Sequence, residues 1–122
     1  MQKRTVDGDW LVITDEEGQP LLSIQETLAE PAVTLNLKGS ITMSLAHEFE
    51  DELTSVATVC SRIIIDFSEV DSISSAGLET LLSVQRILDQ RPNSMLKLCA
   101  LSQPVRKTFQ DMGFLELFEI EN

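Results

Sequence analysis

The run RIIIDFSEVDSISSAGL, residues 62–78, sets the order of elements in this chain. Its first part, from Arg62 to Phe67, holds three consecutive isoleucines, the continuous apolar pattern of a strand covered on both faces. Helices must then pack on both sides of it. Its last part, Ser72-Ile73-Ser74-Ser75-Ala76-Gly77-Leu78, opens onto Leu78, Leu81, Leu82, Val84, Ile87 and Leu88 at helical spacing, ended by Arg91-Pro92-Asn93. This predicts a helix over 75–90, with residues 68–73 as a short connection. Ser74 and Ser75 then stand at a helix start, where backbone N–H groups lack partners and the summed peptide dipoles favour negative charge. A serine phosphate, with about −1.5 to −2 charges and three acceptor oxygens, is accommodated there. The small Ala76 and Gly77 leave the hydroxyl open to a second protein. One of the serines is equally an ordinary N-cap worth about 1 kcal/mol, and the two readings are compatible.

Outward from this junction the chain alternates between two periods. Residues 10–13 and 21–27 are apolar runs around Asp15-Glu16-Glu17-Gly18-Gln19-Pro20, which predicts a hairpin. Val33, Leu35 and Leu37 alternate with Thr34 and Asn36 over residues 32–37, as in a half-buried strand ending at Gly39. From Leu45 onward, Leu45, Phe49, Leu53, Val56 and Cys60 recur every three or four residues, with Glu48, Glu50, Asp51 and Glu52 between them: an amphipathic helix. Residues 95–100 read as another buried strand. Ser102-Gln103-Pro104 offers an N-cap and a first-turn proline for a last helix that turns Val105, Phe109 and Met112 inward and stops at Gly113. Residues 117–120 close the chain as a short strand. Strands separated by helices of roughly 10 to 15 residues require crossover connections, so the fold class is α/β with a mixed, partly parallel sheet.

Composition narrows the function. The 122 residues, 43% hydrophobic, suit one compact domain with a real core. Twenty acidic against 9 basic residues, a formal charge of −11, argue against nucleic acid or an anionic membrane as partner. A basic protein surface fits better. No stretch approaches the roughly 20 apolar residues that span a bilayer, and Met1-Gln2-Lys3-Arg4-Thr5 leads into no apolar signal core. The expectation is a soluble, cytoplasmic protein without membrane insertion. Cys60 and Cys99 lie in separate apolar runs and read as buried structural thiols. The single histidine, His47, reads as a surface residue, and the junction lacks the G-x-S-x-G elbow and partnering base of a serine hydrolase. Glu48, Glu50, Asp51 and Glu52 read as a solvated helix face rather than a metal site. The five glycines are dispersed, with no phosphate-cradling loop. The chain is therefore expected to be a non-enzymatic binding protein without cofactor or metal.

Residues 63–78, with Leu37-Lys38-Gly39-Ser40-Ile41 before the first helix and Val105, Phe109 and Gly113 in the last, resemble the STAS family of bacterial anti-sigma factor antagonists. The resemblance covers roughly residues 20–122, leaving residues 1–19 as an N-terminal strand or hairpin extension, an added edge. It implies a phosphorylation-controlled decoy. The unphosphorylated antagonist binds an anti-sigma factor that is also a GHKL-type serine kinase, thereby releasing the sigma factor. Phosphorylation of a loop serine ends that interaction, and a PP2C-type phosphatase restores it. In the common Asp-Ser-Ser-Gly-Leu form of the motif the acceptor precedes the glycine by two residues, which selects Ser75, with Ser74 as the alternative. Ser74 replaces the usual aspartate, Ala76 the second serine, and Thr42 another frequent aspartate. The partner-binding surface implied by the resemblance comprises Thr42, Ser44, Ser72, Ser74, Ser75, Ala76, Gly77 and Leu78. STAS-like domains also act as unphosphorylated scaffolds or as regulatory subunits of lipid-transport ATPases, which is the alternative role.

Overall fold

The computed structural model describes residues 3–29 and 32–121. Seven strands form one sheet in sequence order: β1 (Lys3–Asp7), β2 (Trp10–Thr14), β3 (Pro20–Ala29), β4 (Ala32–Ile41), β5 (Arg62–Ile73), β6 (Met95–Cys99) and β7 (Glu119–Glu121). The first four are antiparallel neighbours, and β4 to β7 are parallel. Helices α1 (Ala46–Val59), α2 (Ser75–Asp89) and α3 (Gln103–Asp111) make the three parallel crossovers. Crossovers are right-handed, and here every one steps in the same direction across the sheet. All three helices therefore fall on one face.

The burial of β5 bears this out and corrects the expectation of a strand covered on both sides. Ile63, Ile65 and Phe67 are fully buried, whereas Ile64 and Asp66 on the opposite face are only half-buried. On that face Thr34 of β4 and Lys97 of β6 stand opposite Ile64 on either side. Under the helices, the inward residues of β2 to β6 merge with Phe49, Leu53, Leu81, Val84, Val105 and Phe109 into one core. Phe109 anchors α3 by edge-to-face contacts with Phe67 (6.3 Å) and Phe118 (5.8 Å).

The expected hairpin forms between β2 and β3, its turn held by the Asp15 carboxylate, which accepts from the backbone N–H groups of Glu17 (2.9 Å) and Gln19 (3.0 Å). The N-terminal extension, expected as a strand or hairpin, is a hairpin whose two strands join at Gly8-Asp9. Residues 68–73, expected as a connection, continue β5 instead. Met112 lies past the end of α3 and is exposed at 40%, not inward, and Ile87 sits at the rim of α2 at 37%. A 3-10 turn over Leu115–Leu117 precedes β7, so the last strand begins later than the pattern suggested. Cys60 and Cys99 are half-buried free thiols rather than fully buried ones. Burial, then the Asp66 and Glu121 carboxylates, push the Cys99 thiol up, so it stays protonated.

Candidate functional site: the serine turn at the ends of β4 and β5

Parallel strands β4 and β5 finish side by side, with Ile41 opposite Ile73. Gly39 makes the ending of β4 possible. It takes φ +118°, and a Cβ there would lie 2.4 Å from the Leu21 carbonyl oxygen, so only glycine fits. The start of α2 is tied to the same end, for the Ser74 N–H donates to the Ile41 carbonyl at 2.7 Å.

The serines of the junction divide their tasks. Ser74 is the N-cap of α2: its backbone is extended, its Oγ accepts from the Gly77 N–H at 3.2 Å, and its carbonyl accepts from the Leu78 N–H at 3.1 Å. Ser75, the first helical residue, is exposed, and its hydroxyl takes no part in the cap. Ser72 is exposed near the end of β5. Gly77 and Leu78 were expected to meet a partner, but both are buried, Leu78 completely. At Gly77 a Cβ would stand 2.8 Å from Ile41 Cγ2 and 2.9 Å from Ile73 Cγ1. This glycine brings α2 onto the strand ends rather than opening a surface.

Beside the serines, the 3-10 turn Met43–Leu45 presents a second exposed edge. Thr42 and Ser44 share a hydrogen bond at 3.1 Å, and Met43 between them is 73% exposed. A shallow groove between α1 and α2, lined by Ala46, His47, Glu50, Ala76, Glu79 and Thr80 among others, continues from this edge. Met43 and the groove were not singled out in the sequence. The available signal was an apolar residue between two small polar ones just outside an amphipathic helix. Electrostatically the site is mixed. No acidic residue occupies the first turn of α2, so its N-terminal partial charge is uncompensated by its own side chains. Beside it Glu50 and Glu79 are exposed in the groove with Ala76, and Glu69 and Asp71 are exposed on β5 before the junction. The remaining acidic face of α1 is only partly solvated, because Arg4 of β1 reaches Glu48 (3.4 Å) and Glu52 (3.1 Å).

Residues 24–119 match the family described as Mlab, STAS domain. The chain belongs to the STAS family. Its sequence is 36% identical over 87 residues to the Bordetella bronchiseptica protein named "Putative anti-sigma factor antagonist BtrV", covering 70% of this chain and 74% of that one. An anti-sigma factor antagonist from Mycobacterium paratuberculosis has the same fold at TM-score 0.73, with 18% identity over 88% of each chain. So does the Bacillus cell fate determinant SpoIIAA, in its unphosphorylated form (TM-score 0.68, 20% identity, 81% of this chain and 88% of that one) and in its phosphorylated form (0.62, 19%, 81% and 91%). In this STAS chain the serine turn is built where the strand-to-helix motif lies. Among the described residues no helix is long and apolar enough to cross a membrane.

Proposed function

We propose that this STAS chain is an anti-sigma factor antagonist: a non-catalytic, cytoplasmic decoy that captures an anti-sigma factor with GHKL-type serine kinase activity and is released when Ser75 is phosphorylated. A PP2C-type phosphatase resets it. The reading is carried by the division of labour between Ser74 and Ser75: one hydroxyl is committed to the helix cap, and its neighbour stands exposed on the first turn. Thr42, Met43, Ser44, Ser72, Ser75 and Ala76 form the docking surface, with Gly77 and Leu78 supporting it from beneath. Residues 20–122 act as the STAS unit and residues 1–19 as an extension that widens its sheet.

The switch needs no change of shape. Phosphate on Ser75 would sit at a helix start that tolerates it, so the fold persists. At the docking surface the same group is a desolvation cost of several kcal/mol wherever the partner offers no matching cation. Since about 1.4 kcal/mol is tenfold in affinity, even two or three such units release a micromolar partner. Glu50 and Glu79, exposed in the groove beside Ala76, favour a basic rim on the partner and repel other acidic surfaces.

Affinity purification from the protein's own cells, with Ser75→Ala and Ser75→Asp as baits, tests the mechanism. The alanine variant is expected to retain a GHKL-type kinase, and the aspartate variant to lose it at least about tenfold. Equal recovery by both would sink the charge mechanism. Recovery of permease and ATPase subunits instead would establish the transport-subunit role.

A further inference from the structure

The free edge of the sheet carries a self-complementary strand. β1 is first in the strand order, and among the described residues no strand pairs with its outer side. All five of its residues are exposed, Val6 at 78%. At the opposite edge, β7 is three residues long and carries Glu119 and Glu121, which repel a second acidic strand. β1 is charged too, but its Lys3, Arg4 and Asp7 are of both signs, so a second copy can match them instead of repelling them.

Its hydrogen-bonding parity follows from the hairpin. The Gly8-Asp9 turn closes on the pair Asp7 and Trp10, and the closing pair of a two-residue hairpin exchanges ladder bonds. Bonded and non-bonded pairs alternate along an antiparallel ladder. Lys3, Thr5 and Asp7 therefore direct their peptide groups toward β2, while Arg4 and Val6 direct theirs outward. A second antiparallel copy of β1 must meet this strand through Arg4 and Val6. Centring the twofold axis on Arg4 sets two guanidinium groups opposite each other. Centring it on Val6 runs Lys3 and Arg4 past the end of the other strand into its turn. Centring it on Thr5 pairs Arg4 with Val6 of the other copy twice, covers the exposed Val6 side chains, and sets each Lys3 against the other copy's Asp7.

We propose that β1 is a homodimerisation edge, at which two copies join antiparallel about Thr5 into one continuous sheet. The serine turn lies at the ends of β4 and β5, three and four strands away, or roughly 14–19 Å. The dimer thus leaves both turns open, one in each half of the joined sheet, and presents two docking sites to its surroundings. This inference does not depend on phosphorylation of either serine.

Sedimentation velocity of the full chain across the micromolar range, at physiological salt so that the repulsion between two acidic molecules is screened, tests it with a charge swap. Native protein is expected to dimerise. Lys3→Glu and Asp7→Lys should each raise the dissociation constant about tenfold, since each reverses two symmetric pairs, and the Lys3→Glu/Asp7→Lys double variant should recover it. Circular dichroism checks that each variant is folded. Thr5→Cys provides the register, because Cα atoms in a non-bonded antiparallel pair lie about 4.5 Å apart, within disulfide reach. In a Cys60→Ser/Cys99→Ser background it should form a covalent dimer on mild oxidation. A native monomer throughout the range, a dimer indifferent to the single reversals, failure of the double variant to recover, or absence of the cross-link would each overturn the proposal.

Discussion

Ser74 and Ser75 are adjacent and chemically identical, yet the backbone assigns them different work. Ser74 Oγ satisfies one of the orphan N–H groups of α2, so Ser74→Ala should cost about 1 kcal/mol. Ser75→Ala removes an exposed hydroxyl outside the cap and should stay within about 0.5 kcal/mol of the native chain. Urea denaturation of the two variants distinguishes them, and equal losses would contradict the assignment. Gly77→Ala should cost about 1–3 kcal/mol by forcing Ile41 and Ile73 apart, read in the same way. At this scale the sequence identified the junction and its small residues. It misplaced Gly77 and Leu78, because the same spacing that exposes a short residue on an isolated helix buries it when two strand ends lie directly beneath. Half of that contact is made by Ile41, far away in the chain, and no local pattern announces it.

The elements were legible wherever their period was regular. α1 and α2 followed from three- and four-residue spacing, and β4 from its alternation. The second half of β5 was hidden for a specific reason. Beyond Phe67 its buried residues are Val70 and Ile73, a spacing of three, because the ladder with β4 shifts at Asn36/Lys38 and again at Gly39/Ser40. Each shift inserts an extra residue into β5 and breaks the alternation that marks a strand. Between β3 and α1 the structure also holds a pH-sensitive contact. Glu26 is held above the ordinary glutamate range, first by the Glu52 carboxyl that hydrogen-bonds its protonated form, then by partial burial and the like charge of Glu52. The folded chain thus keeps this proton to higher pH than the unfolded chain. The contribution favours folding at low pH and is lost as pH rises through the raised value. Urea denaturation at a series of pH values should show native stability falling across this window and Glu26→Gln flattening that slope. Solvent screening keeps the difference below about 1 kcal/mol. Parallel pH curves for the two proteins would contradict it.

Across the whole molecule, one direction of winding explains both the core and the open face. Three parallel steps in the same sense put all helices on one side, and the polar, half-buried row on the other side is what remains. The three isoleucines of β5 suggested two covered faces, since a continuous apolar run does not say which alternate members are wetted. The mixed sheet, its helical crossovers and the place of the serine junction were all readable beforehand; strand order and the handedness of winding were not, because they depend on pairing between distant segments. On this scaffold the proposed phosphorylation would act by charge alone. Ser75→Asp should leave the midpoint of thermal unfolding essentially unchanged or slightly raised, as an anion at an uncompensated helix start is favourable. A marked fall would mean that charge at the turn acts by disturbing the fold. Phosphopeptide mass spectrometry of the chain purified from its own cells, alongside Ser74→Ala and Ser75→Ala variants, with and without phosphatase treatment, reads whether Ser75 is the acceptor of the proposed phosphate switch. The expected result is a phosphatase-sensitive phosphate on Ser75 that survives Ser74→Ala and vanishes with Ser75→Ala. Phosphate confined to Ser74, or none on either serine across growth conditions, would contradict it.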